Sequence, residues 1–342
     1  MKRNYMKALA AILLVCFLLG GSGVSLGSVA FASSTPARTG PLRLTIGTAG
    51  LGGNLYIVGA TLAQVLTRHM PMTDFTPEVT GGSGVNVGLV QQKDVDFALC
   101  SNVAAYNGYN AKGWLEGHDP MLDVRTIAAL MPSALELFTL ASSNVYAIQD
   151  YEAKIISAAT TGGGGDMTAR DLFPTLGIQP AQIQGMTLPD VNSNLIDGLL
   201  DCAMDFGTFP HASRLELEAS ANIRFIELSP EERQLMVEVF PYYMEGIIPN
   251  GTYQSIPSDY HTIMAPNILI THKDSPEDFV YEMLTVIFEN MDELISGSNS
   301  FSYVEMDYML GTAIPLHPGA VRYFKEQGFT IPVHLIPEEY AE

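Results

Sequence analysis

The chain predicts an α/β protein built as two lobes, and three observations carry that prediction. Strand-like and helix-like segments alternate from residue 42 onward. Strand ends run repeatedly into loops rich in glycine and hydroxyl residues, and each loop opens a helix. The chain is also long enough, at 342 residues, to enclose more than one hydrophobic core.

The first segment reads as a targeting leader. Lys2, Arg3 and Lys7 precede an apolar run over 8–19, and Ala30, Phe31 and Ala32 fit a small-x-small cleavage site. A cut after Ala32 leaves 310 of the 342 residues and predicts a periplasmic, exported protein. The apolar run is short for a membrane span, and no later stretch is long enough to be one. Cys16 lacks the small residue that precedes a lipid-attachment cysteine, so lipidation remains the lesser alternative. The formal charge is −20, and about −23 once the three leader cations are gone. So acidic a surface argues against nucleic acid and anionic membranes as partners.

After a polar stretch over 33–41, the first strand ends in a loop carrying Gly47, Gly50, Gly52 and Gly53. Asn54 suits the N-cap of the following helix, in which Leu55, Val58, Leu62 and Leu66 repeat at helical spacing. A second strand over 75–79 meets Thr80, Gly81, Gly82, Ser83 and Gly84 before a helix over 85–93. A third over 95–100 meets Ser101 and Asn102, then a helix over 103–110. Two further strands are expected over 126–131 and 135–141. The theme returns with a strand over 155–159, the run Gly162 to Gly165 with Asp166, and a helix over 167–176. A strand over 202–206 leads through Gly207 and Thr208 to a helix over 210–220. Residues 239–252 mix aromatics, prolines and glycine and read as irregular. A strand over 262–271 and helices over 276–296 and 318–327 complete the chain.

In open α/β sheets such junctions lie at the carboxyl ends of strands, where ligands bind. Facing sets of helix N-termini, with unpaired N–H groups and a positive dipole end, suit a small carboxylate-bearing solute. The candidate ligand-binding residues are therefore Gly50, Leu51, Gly53, Asn54, Tyr56, Thr80, Gly82, Ser83, Ser101, Asn102, Gly163, Gly164, Gly165, Asp166, Phe206, Gly207 and Thr208. Ser83 also reads as a helix cap. Asp166 reads as a cap and Asp205 as a solvated strand end, or one of them meets an amino group of the ligand. Arg170 is either an i,i+4 partner of Asp166 or a carboxylate clamp. Tyr56 either stacks on the solute or packs inside the lobe, whereas Tyr109 reads as core.

Other chemistry finds little footing. The first loop lacks G-x-G-x-x-G spacing, and Glu78 is the sole acidic candidate on the second strand for a dinucleotide. Residues 81–85 miss G-x-S-x-G because Val85 replaces the last glycine. His69, His118, His211, His261, His272, His317 and His334 are scattered and read as surface or packing residues. Cys100 and Cys202 fall in strands of different lobes and read as free buried thiols. No catalysis, metal or cofactor is expected.

The ordered set of motifs resembles the TAXI family of solute-binding proteins, the extracytoplasmic receptors of one branch of TRAP transporters. Residues 47–56 (GTAGLGGNLY) resemble its first Gly-rich loop, and 79–86 (VTGGSGVN) its T-G-G-S segment. Residues 101–109, 126–130, 162–170, 195–203 and 313–320 follow in family order. The resemblance implies a type II periplasmic-binding-protein fold: two α/β lobes, two crossover strands near 140–144 and 255–266, and a ligand cleft between the lobes. It places lobe I over 33–142 and 256–342 and lobe II over 143–255. It implies capture of a small organic anion or amino acid by a monomer and delivery to TRAP membrane subunits. Known family ligands include glutamate-like amino acids and dicarboxylates. A secreted enzyme on a related fold, or a receptor serving a sensor or an ABC permease, is the alternative. The chain departs from the family at Gly50, Leu51, Asn54, Leu55, Gly163 and Gly165, where hydroxyl or aromatic residues are usual, and at Cys100 and Asn102. Those losses imply a bulkier or less polar solute.

Overall fold

A computed structural model describes residues 40–51, 54–304 and 309–341; the expected leader and Gly53 lie outside them. The chain begins with β1 (Leu42–Gly47), α1 (Asn54–His69), β2 (Thr73–Glu78), α2 (Ser83–Gln92), β3 (Phe97–Ser101), α3 (Asn102–Asn110) and a long β4 (Val124–Leu140). It continues through β5 (Ile155–Ser157), α4 (Gly164–Leu176), β6 (Gln182–Gln184), α5 (Leu188–Ile196), β7 (Cys202–Gly207) and α6 (Ala212–Ser220). Then come β8 (Ile223–Phe225), α7 (Pro230–Val239), β9 (Met244–Ile248) and a long β10 (Tyr260–His272). Helices α8 (Glu277–Glu289), α9 (Met291–Gly297) and α10 (Pro318–Glu326) follow.

The strands form one sheet in the order β2-β1-β3-β10-β4-β7-β5-β6, with β8 on β4 and β9 on β10. Both long strands serve two halves of it. Residues 267–271 of β10 pair with β3, and 260–264 pair with β9. Residues 124–134 of β4 pair with β10, and 134–140 pair with β7 and β8. This is the two-lobed α/β fold, with β4 and β10 crossing between lobes. β4 changes partners at Ala134, earlier in the chain than the crossing expected near 140–144.

Strand direction then fixes where a ligand site can form. β1, β2 and β3 are mutually parallel, and β3 and β4 both run antiparallel to β10. The first set therefore points along β4 toward its middle. β5, β6 and β7 are mutually parallel, and β7 runs antiparallel to β4. The second set points toward the same middle from the other side. Ser101 ends β3 level with Asn267, itself opposite Met131, and Gly207 ends β7 opposite Ala134. At about 3.3 Å per strand residue, the two sets of carboxyl ends stop within roughly 10 Å of each other along β4.

Several expectations are corrected. The two strands expected over 126–131 and 135–141 are one, although Pro132 lies inside it. Pro132 faces Pro266 of β10, so neither supplies an N–H there. Beside them Asn267 donates Nδ2 to the Met131 carbonyl at 3.4 Å and to Ser133 Oγ at 2.8 Å. Residues 239–252 are not wholly irregular: 244–248 form β9, which exists by pairing with β10. The single helix expected over 276–296 is two, because Asn290 takes φ −117° and ψ 29° and its side chain donates to the Val286 carbonyl at 2.8 Å. Helices α5 and α7 and strands β6 and β8 were not anticipated.

Each half has its own core. One gathers Ile46, Leu62, Leu66, Leu99, Ile287 and Phe324 between β1–β3 and helices α1, α8 and α10. Another gathers Leu137, Tyr151, Leu172, Phe173 and Met204 around β5, β7 and α4. Val103 of α3 belongs to the second, while Ala104 and Ala105 of the same helix pack with Ala98 and Cys100 of β3, so α3 touches both halves. Cys100 and Cys202 are free and buried, on β3 and β7 as expected.

Candidate functional site

The junction after β2 is organised by one buried amide. Asn86 of α2, fully buried, donates Nδ2 to the carbonyls of Thr48 (2.6 Å) and Leu99 (2.7 Å). Its Oδ1 lies 2.6 Å from the Thr80 hydroxyl, which in turn accepts the Gly82 N–H at 3.1 Å. A single side chain thus ties together the carboxyl ends of β1, β2 and β3. Gly82 caps α2 at φ 90°, ψ −162°, backbone that a residue with a Cβ rarely adopts, and it offers no side-chain cap. Ser83 is the first residue of α2 rather than its cap, and its Oγ accepts the Ser101 N–H at 3.0 Å.

The junction after β5 is built differently. Gly163 caps α4, again without a side-chain bond. A Cβ on Gly164 would sit 2.3 Å from the Phe206 carbonyl, so glycine here lets the helix start press against the end of β7. Asp166, in the first turn of α4 and not at its cap, accepts the Gly162 N–H at 2.9 Å. Arg170 donates Nε and Nη2 to the same carboxylate at 3.0 to 3.2 Å. The i,i+4 pair is therefore formed, with Arg170 largely exposed and its Nη1 without a partner among the described residues.

These two junctions meet. One cavity of about 540 Å³ is lined by Gly81, Gly84 and Val85 from the first half and by Thr161, Gly162, Asp166, Met167 and Arg170 from the second. Helix α2 packs on β3 and α4 on β7, so the walls belong to opposite halves of the sheet. First-turn N–H groups lack intrahelical acceptors, and glycine caps leave both helix starts without a side-chain acceptor.

The other sequence candidates are placed as follows. Gly50 and Leu51 are exposed, Tyr56 is half-buried, and Asn54 is the first residue of α1, its Oδ1 bonded by the Ser300 hydroxyl at 3.2 Å. Ser101 is the N-cap of α3 through the Ala104 N–H, and Tyr109 packs on a core as expected. Asn102 is buried; its Nδ2 donates to the Gly311 (3.1 Å) and Tyr242 (3.4 Å) carbonyls and its Oδ1 accepts the Ala313 N–H (2.9 Å). Its amide is spent bridging α3, the 240s loop and the segment before α10. Phe206 is buried against Tyr243, while Gly207 and Thr208 are half-buried beside it. Of the candidates, Asp166 lines the cavity directly. Gly81, Gly84, Val85, Thr161, Gly162 and Met167 had not been singled out, although they sit in or next to the same loops.

Asp205 is not a solvated strand end. It is buried, with Oδ2 3.6 Å from Arg214 Nη2, and Arg214 is fully buried with Nε donating to Glu136 Oε2 at 2.8 Å. Tyr253 donates to Glu136 Oε1 at 2.5 Å and accepts the His211 N–H at 2.7 Å. The guanidinium also lies 3.5 Å over the Phe138 ring. Nearby, Asp171 accepts both the Tyr242 and Tyr243 hydroxyls, and burial raises its pKa above the usual carboxylate range. His317 caps α10, and burial lowers its pKa to about 4.

The parallel strands of this two-lobed α/β fold thus converge from both sides on a shared cleft. The chain belongs to the NMT1-like family, which matches residues 46–328. Its fold is similar to that of XAC2383 from Xanthomonas citri bound to ATP: TM-score 0.52, 10% identity, 83% of this chain and 94% of that one. It is also similar to a TctC solute binding protein from Polaromonas: TM-score 0.50, 12% identity, 78% of this chain and 90% of that one. At such identities the likeness establishes the fold.

Proposed function

We propose that this protein is a periplasmic receptor of the TAXI branch, exported by a leader cut near Ala32, that captures a small organic anion or amino acid and hands it to TRAP membrane subunits without chemical change. The observation that carries the reading is the cavity whose two walls are glycine-capped helix starts from opposite halves of one sheet. Lobe I is drawn from 33–142 and 256–342 and lobe II from 143–255, with β4 and β10 acting as the hinge. A solute touching both walls favours the closed arrangement by the difference in its affinity for the closed and open forms. The membrane subunits then read closure. Contacts come from the amides around Gly82, Ser83, Gly163, Gly164 and Gly165, with Asp166 and Tyr56 at the rim. Gly50, Leu51, Asn54, Thr80, Ser101, Asn102, Phe206, Gly207 and Thr208 form the surrounding shell, and Gly53 stays a contact expected from the sequence.

The test is native mass spectrometry of protein taken from a periplasmic extract, joined to small-angle scattering with and without the recovered solute. A bound organic acid or amino acid that shrinks the radius of gyration supports the reading. A protein that carries nothing, and that no carboxylate or amino acid stabilises thermally, overturns it.

A further inference from the structure

The two walls of the cavity are not equivalent in charge. The α4 wall already holds an anion of its own, because the Asp166 carboxylate occupies the first turn and takes the Gly162 N–H. Arg170 neutralises that carboxylate through Nε and Nη2. The α2 wall has no acidic residue in its first turn and no side-chain cap. The titratable lining therefore sums to zero, with one guanidinium edge, Nη1, still open. One negative group on a ligand finds the α2 amides or Nη1; a second finds the Asp166 carboxylate and no further cation.

The remaining lining is apolar. Val85 projects from the first turn of α2, 49% exposed, and Met167, 8% exposed and anchored in the core of the second half, shows its remaining edge across the cavity on α4. In the first half Leu51 and Val79, in the loops after β1 and β2, are also 74% and 55% exposed. Apolar side chains left in water beside a cavity gain by burial when an apolar body fills it.

We propose that the cavity selects an organic monoanion with an apolar body over dicarboxylates and dicarboxylic amino acids, with Val85 and Met167 as the specificity-determining residues and Arg170 Nη1 as the cationic contact. The inference rests on the receptor reading and narrows its substrate class. Two methylenes moved from water to an apolar wall are worth roughly ten-fold in affinity.

The experiment is isothermal titration of the mature protein with butyrate, hexanoate, phenylacetate, glutarate, adipate and glutamate. Hexanoate and phenylacetate are expected to bind about ten-fold or more tightly than butyrate, adipate or glutamate. Val85→Ser, at a half-exposed position that leaves the fold intact, weakens hexanoate several-fold and butyrate less. Arg170→Gln weakens every monoanion. Tight binding of glutamate, glutarate or adipate, or a Val85→Ser variant with unchanged hexanoate affinity, overturns the inference and leaves the receptor reading standing. Absence of binding across the panel, with no co-purified acid in the native mass spectrum, overturns both.

Discussion

The two halves of the sheet hold their cleft-facing ends by opposite means. In the first half a neutral side chain, Asn86, joins β1, β2 and β3 at the cleft, and another, His317, anchors α10 at the far end beside Thr126 by accepting the Gly319 N–H at Nδ1. In the second half the fixtures are charged: Arg214 and Glu136 form a fully buried pair, backed by Tyr253 and Asp205. Neutral amides lose one or two hydrogen bonds when removed. A buried charge that loses its partner keeps its full desolvation penalty. The halves should therefore differ in sensitivity to mutation more than their similar topology suggests.

Arg214→Met should be the most damaging single change, costing about 3–5 kcal/mol in chemical denaturation because Glu136 is left buried and uncompensated. The double variant Arg214→Met with Glu136→Leu should recover most of that loss; a double variant as unstable as the single would break the contrast. Asn86→Leu, which removes the side-chain donor to the Thr48 and Leu99 carbonyls and leaves Thr48 only the Thr80 hydroxyl, should cost about 2–3 kcal/mol.

The neutral histidine sharpens the comparison through pH. Burial holds His317 near pKa 4, below its ordinary 6.5; the Ser275 carbonyl and Glu339 partly oppose this, and Arg125 adds to it. The unfolded chain then binds more protons between those values, so stability falls as pH drops through 6.5 and levels off below about 4. By pH 5 the loss is about 2 kcal/mol. His272, also lowered by burial, adds the same sign. Urea denaturation at pH 7 and 5 should show this loss, and His317→Asn, which retains a capping acceptor, should reduce it.

The smallest effect belongs to the exposed pair. Arg170→Ala should change stability by no more than about 0.5 kcal/mol, since the guanidinium is mostly in water, while solute affinity falls. A large stability loss with unchanged affinity would make the pair part of the frame and remove it from the cleft.

Much of the fold was legible because strand and helix periodicities are local. Leu62 and Leu66, or Met283 and Ile287, announce their buried faces wherever the helix docks. The Gly-rich junctions were legible too, as places where backbone turns sharply. Which candidates reach the cavity was not. Asn102 looks like a ligand residue from its position after β3, yet its amide is consumed by partners more than a hundred residues away. Val85 and Met167 look like ordinary helix residues until the two junctions are brought face to face.

The sequence by itself determined the alternation of elements and the places where glycine-rich loops open helices, since each follows from neighbours within a turn or a strand. Only the tertiary structure decided that β4 and β10 each serve both halves, that Pro132 stands inside a strand, and that one wall of the cavity carries its own carboxylate while the other carries none. Those outcomes depend on pairings between distant segments, and a strand's partner, unlike its period, is not written in its own residues.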